Sequence, residues 1–138
     1  MSNPAQAISF RSVKQYKYQL TEDYSISVPI KPLKMIKTPF VRLTKAGKLT
    51  IKQGYSWDGA SGPTWDLHAH RASLVHDALY QLMRMGLLDH VMYRPVADLL
   101  LRDIAREDGM SRFRSAYWHY FVSKYGGRAA EPQDCDDL

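Results

Sequence analysis

Cysteine is almost absent: the chain of 138 residues has one, Cys135, in its final segment. A single thiol makes no disulfide framework, and one lying in an acidic tail is a poor catalytic nucleophile. The composition suits a reducing compartment such as a bacterial host cytoplasm. Long apolar runs are missing as well. The opening "MSNPAQAISFRSVKQ" has no signal-peptide core, and no stretch is long enough to span a bilayer, so a soluble protein is expected. There is no internal repeat, no low-complexity tract, no phosphate-cradling loop with its lysine and no serine in a strand-to-helix elbow.

What is present suffices for a core. Hydrophobic residues make up 45% of the chain, which argues against intrinsic disorder and for one domain over residues 1–130 followed by an acidic tail, 131–138. The net charge of +5 is carried despite that tail, "EPQDCDDL". An anionic partner, lipid headgroup or nucleic acid, fits this balance as well as a merely solvated basic surface does.

The first half reads as strands. "YKYQLTEDYSISVPI" alternates and is rich in aromatic and β-branched residues, predicting one or two strands over 16–30. "TPFVRLTKAGKLTIKQGY" predicts a hairpin, with Phe40, Arg42 and Thr44 on one face, Gly47 in the turn and Leu49 and Ile51 on the apolar side. Pro29, Pro32 and Pro39 suit strand ends and edges. After residue 66 the period becomes helical. Val75, Ala78, Leu79 and Leu82 stripe a first helix ending near Gly86. Pro95 opens a second, striped by Val96, Leu99, Leu100 and Ile104 and closed by Gly109. "RFRSAYWHYFVSK" makes a third, ending at Gly126 and Gly127. The expected class is α+β: a small antiparallel sheet, then about three helices.

Between sheet and helices lies "GYSWDGASGPTWD", residues 54–66, bracketed by Trp57 and Trp65. Its glycines would let backbone carbonyls approach a ligand; it could equally be a tight connection whose tryptophans plug the core. It leads directly into "ASLVHDALYQL", where His76 and Asp77 interrupt an apolar run. His76 lies at the border of its stripe and Tyr80 shares its face one turn later. If the first two helices pack antiparallel, Asp98 of "PVADLLLRD" can bond one ring nitrogen of His76, leaving the other to deprotonate water. Asp77, beside loop carbonyls, is a seat for a hard divalent cation. A satisfied core-edge histidine with surface aspartates would read the same way. Zinc on His68, His70 and His76 lacks a further ligand. In the third helix Phe113, Tyr117, Tyr120, Phe121 and Tyr125 recur at helical spacing, the pattern of a core stripe more than of a base-stacking platform, so nucleic acid is not the expected partner.

Two resemblances bear on these residues. "WDGASGPTWD", "ASLVHDALYQL", "YRPVADLLLRDI" and "YWHYFVSKYGG", in this order, resemble the domain-of-unknown-function 1353 family of tailed-phage and prophage proteins over residues 35–128. That resemblance implies a phage origin, with the host cytoplasm or the virion as location. The same core resembles phospholipase A2, especially the disulfide-free parvoviral capsid type. The matching pieces are Gly59, Gly62 and Pro63 in the loop, His76, Asp77 and Tyr80 on one helix, and Ala97 and Asp98 on the next. It implies a pair of antiparallel helices carrying His76 as general base, Asp98 as its partner and Tyr80 as support. It also implies calcium held by Asp77 and the loop, where Gly59 and Gly62 fall and where Asp58 adds a carboxylate the enzymes lack. The substrate class implied is a glycerophospholipid ester at a membrane surface. Ser-Gly-Pro in place of a Gly-x-Gly turn, Leu79 in place of a cysteine and the N-terminal sheet depart from that pattern. The alternative expectation is a non-catalytic virion or tail module, whose partners would be other phage virion proteins.

Overall fold

Alternating burial organises the first part of the chain. In the computed structural model, which describes residues 7–14, 17–58 and 67–132, seven short strands precede four helices, an α+β order. Two compact units result, Met1–Gly59 and Ala60–Leu138. In the first, β1 (Phe10–Lys14), β2 (Lys17–Leu20) and β7 (Ser56–Asp58) form one antiparallel sheet in the order β1-β2-β7. A second sheet has the order β3-β6-β5-β4, from β3 (Tyr24–Ser27), β4 (Ile36–Lys37), β5 (Val41–Leu43) and β6 (Lys48–Ile51). Its strands are antiparallel throughout.

The hairpin forms where "KAGK" predicts it. Gly47 takes φ 93°, and a Cβ there would lie 2.6 Å from the Val28 carbonyl, so both backbone angle and space require glycine. Register pairs Val41 with Ile51 and Leu43 with Leu49, and all four are buried. Phe40 is exposed and Arg42 and Thr44 half-buried, on the opposite side from that core. Pro29, Pro32 and Pro39 fall between strands. Trp57 belongs to β7 rather than to a loop. Paired opposite Tyr18, it is buried with its ring 5.8 Å from those of Tyr18 and Phe10. Strands β1, β4 and β7 escaped the sequence reading because each is short and lacks an extended alternation.

The second unit opens with a 3₁₀ turn, Leu67–Ala69, running directly into α1 (His70–Arg84). Helix α1 is buried on nearly every side, so His76 is not at a stripe border. Helix α2 (His90–Glu107) starts earlier than Pro95 predicts, because the Asp89 carboxylate caps it by accepting from the Val91 N–H at 3.0 Å. Pro95 thus sits in the second turn, where the carbonyl it leaves unbonded is that of exposed Val91. The buried face of α2 is also rotated from expectation. Ala97, Asp98, Leu101, Ile104 and Ala105 face inward, whereas Leu99 is exposed and Val96 and Leu100 are half-buried. Leu101 is at the middle of this face, and Asp98, beside Ala97, is buried at its edge. Bonds from residue 71 to 107 and 108, and from 76 and 80 to 98, make the two helices antiparallel.

Helix α3 (Arg112–Tyr125), capped by Ser111, turns Ser115, Trp118 and Val122 inward. Phe113, Tyr117, Tyr120 and Tyr125 are exposed, which overturns the core-stripe reading of these rings. Trp118 is the largest side chain on the inner face, beside Ser115 and Val122. After α3 comes a single turn, α4 (Gly127–Ala130). No described helix is long and apolar enough to cross a membrane.

Candidate functional site

Antiparallel packing brings residues 22 apart in sequence to one point. The His76 Nε2–H donates to Asp98 Oδ1 at 2.8 Å, and the Tyr80 hydroxyl donates to the same oxygen at 2.6 Å. Tyr80 lies one turn after His76 on α1, and their rings stack with centroids 4.1 Å apart. The imidazole plane is therefore held by a ring on one side and a carboxylate at its edge. His76 is 7% exposed and Asp98 2%. A carboxylate buried so deeply is stable only with its oxygens engaged.

Arg94, which sequence reasoning missed, completes the group. Its Nε lies 3.3 Å from the Tyr80 hydroxyl and 3.9 Å from Asp98 Oδ2, while its far nitrogen donates to the carbonyls of Val122 and Ser123 at the end of α3. The double glycine, read only as a helix stop, makes room for these groups. A Cβ on Gly126 would lie 3.0 Å from the Tyr80 hydroxyl, and one on Gly127 would lie 3.6 Å from the Arg94 guanidinium carbon. A signal was available: Arg94 precedes Asp98 by one helical turn.

Electrostatics follow from this geometry. Burial pulls the His76 imidazole down, but the Asp77 and Asp98 carboxylates outweigh it and hold the ring above its ordinary value of 6.5. Burial and the neighbouring Asp98 charge push the Tyr80 phenol well up, so it remains a donor. With Nε2–H committed to Asp98, Nδ1 is the basic nitrogen. It faces Asp77 at 3.8 Å, beyond hydrogen-bond length, and the Asp77 side chain is 28% exposed. Among the described residues Asp77 forms no ion pair with a lysine or arginine; its charged neighbour is the His76 ring. Among the described residues, however, no group of three or more histidines, cysteines and acids could hold a metal ion by itself.

Of the other expected ligands, one belongs to the first unit and the rest fall outside the described residues. Asp58 is on β7, exposed, with its carboxylate 4.0 Å from the Lys17 ammonium. Gly59, Gly62, Pro63 and Trp65 fall outside the described residues. His68 and His70 are described: His68 lies against Gly109, whose Cβ would come 3.0 Å from its ring, and burial pulls the His70 imidazole down. They form no metal group with His76.

Fold and site together define an α+β chain whose helical unit encloses a histidine–aspartate–tyrosine–arginine network. No family model, curated protein or solved structure matches the chain.

Proposed function

We propose that this chain is a phage-encoded ester hydrolase in which His76 is the general base and Asp98 its partner, with glycerophospholipid the substrate class. The observation that carries the reading is the 2.8 Å His76–Asp98 bond, which sets the tautomer with Nδ1 as the free base. In the proposed reaction, Nδ1 takes a proton from water and the oxygen attacks the ester carbonyl. The tetrahedral oxyanion then collapses, expelling the lysophospholipid alkoxide, which recovers the proton from the imidazolium, while the fatty acid leaves. Asp98 stabilises the transient imidazolium; Tyr80 and Arg94 keep Asp98 in place.

Asp77 would be the helical unit's ligand to a calcium ion; Gly59 and Gly62, the further ligands that the phospholipase A2 resemblance implies, lie outside the described residues. When bound, calcium supplies Lewis-acid stabilisation of the oxyanion.

One observation favours a second reading: a histidine only 7% exposed is also what a structural polar network requires. In that reading the chain is a non-catalytic virion or tail module whose partners are other phage proteins. Purified wild type and His76→Ala, assayed for phospholipid cleavage with and without calcium alongside thermal melts, separate the two. A folded His76→Ala that has lost cleavage supports the hydrolase. A folded but inert wild type, paired with an unstable His76→Ala, assigns the network to the module.

A further inference from the structure

Helix α3 carries a face for which its own unit provides no cover. Phe113, Tyr117, Tyr120 and Lys124 follow i, i+4, i+7, i+11 spacing and form one stripe along the outer side, opposite buried Ser115, Trp118 and Val122. Phe113 is 82% exposed, and Tyr117, Tyr120 and Tyr125 are each more than half exposed. Three large rings in line on one helix exceed the scattered apolar residues of an ordinary surface. Along the helix itself the charge has one sign. From Met110 to Ala130 the chain has Arg112, Arg114, Lys124 and Arg128 and no aspartate or glutamate. Arg112 and Arg114 project to either side of the stripe, about 100° from Phe113 at 3.6 residues per turn.

We propose that this face of α3 lies flat on an anionic phospholipid surface, with the rings at headgroup depth and the cations paired with phosphates. The inference rests on the hydrolase reading above, for which it supplies the means of reaching an insoluble substrate. Rings together with charge of one sign favour an anionic lipid surface. Tyrosine has an apolar body and a polar tip, which suits the boundary between acyl chain and water. Flanking arginine and lysine stems can lie along the acyl boundary while their charged ends reach phosphate. Stacking of nucleic-acid bases is disfavoured locally. The Lys124 ammonium lies 5.6 Å from the ring centres of both Tyr120 and Tyr125, over faces that a base would need.

The test is co-sedimentation of the full chain with vesicles of phosphatidylglycerol and phosphatidylcholine, against vesicles of phosphatidylcholine alone. Binding is expected to require the anionic lipid and to weaken as salt rises. Phe113→Ser/Tyr117→Ser/Tyr120→Ser should reduce vesicle partitioning roughly tenfold or more with an unchanged melt, because these side chains are exposed. Hydrolysis of a short-chain phospholipid, below the concentration at which it forms micelles, reads the His76–Asp98 dyad separately. Vesicle binding without any hydrolysis supports the face and removes the dyad reading. Soluble hydrolysis with no vesicle binding, or with binding unchanged in the triple variant, overturns the face and leaves the dyad. A single-stranded oligonucleotide that binds more tightly than anionic vesicles, and loses binding in the same variant, also overturns the lipid assignment.

Discussion

Asp98→Asn tests the network with the least change of shape. The asparagine oxygen can still accept from Tyr80 and His76, so the packing of α1 on α2 persists while the charge is removed. Two hydrogen bonds to a carboxylate, at 2.6 and 2.8 Å, become bonds to a neutral amide, each weaker by about 1 kcal/mol. Arg94 loses an attraction across 3.9 Å but keeps its carbonyl partners at the end of α3. Against this, one buried charge no longer has to be desolvated. The net expectation is a loss of about 1–2 kcal/mol, or a melting temperature lower by roughly 5–10 °C for a unit of this size. The sharper readout is His76. In the wild type its ring is held above 6.5, with Asp98 one of the two carboxylates opposing burial. Without Asp98, burial weighs more heavily and the midpoint falls. An NMR titration of the His76 ring protons in both proteins measures this directly. The proposed ester hydrolysis should fall by about 10²–10⁴-fold, since the proposed base loses both orientation and the charge that stabilises its protonated form. A His76 midpoint unchanged in Asp98→Asn would refute the reasoning, whatever the melt does.

The raised His76 value also sets a pH dependence. Stability from the protonated ring, paired with Asp77 and Asp98, is fully present below about 6.5 and is lost as pH rises through the higher folded value; denaturant melts across that range check it. Hydrolysis should move oppositely, rising over the same window as Nδ1 is freed. Tyr80→Phe should destabilise by about 1.5–3 kcal/mol, because Asp98 stays buried with one donor fewer; urea denaturation reads the loss. Gly126→Ala places a Cβ 2.6 Å from the Val122 carbonyl and 3.0 Å from the Tyr80 hydroxyl, so a loss of about 1–3 kcal/mol and a shifted Tyr80 resonance are expected. Arg71→Ala removes a guanidinium that is 5% exposed and joined to Glu107 and Asp108 at 2.8 and 3.0 Å. It should cost about 2–4 kcal/mol in thermal melts while leaving the His76 titration unchanged.

Some of this structure was legible in the residue order. A change of hydrophobic period near residue 70 separates strands from helices, Gly47 marks the hairpin, and Gly86 and Gly109 end α1 and α2 with φ of 74° and 107°. These are local facts of backbone sterics and periodicity, and a linear sequence records them. The His76–Asp98 bond was legible too, because two helices joined by a short connection pack antiparallel and bring their inner faces together. Tertiary packing decided the details that alter the chemistry. Which face of α2 turns inward was decided by packing: Ala97, Asp98, Leu101, Ile104 and Ala105 are buried while Leu99 is exposed, so Asp98 moved from beside the expected stripe into the buried face. Arg94 and Gly126 joined the site because the end of α3 folds back onto Tyr80, a contact across more than forty residues that no local pattern encodes. The rings of α3 illustrate the same limit. Their spacing is what a core stripe and an exposed interface share, and only the choice of Trp118 for the inner side turned Phe113, Tyr117 and Tyr120 outward. Periodicity determines that a helix has two faces; the volume available against its neighbours determines which of them is buried.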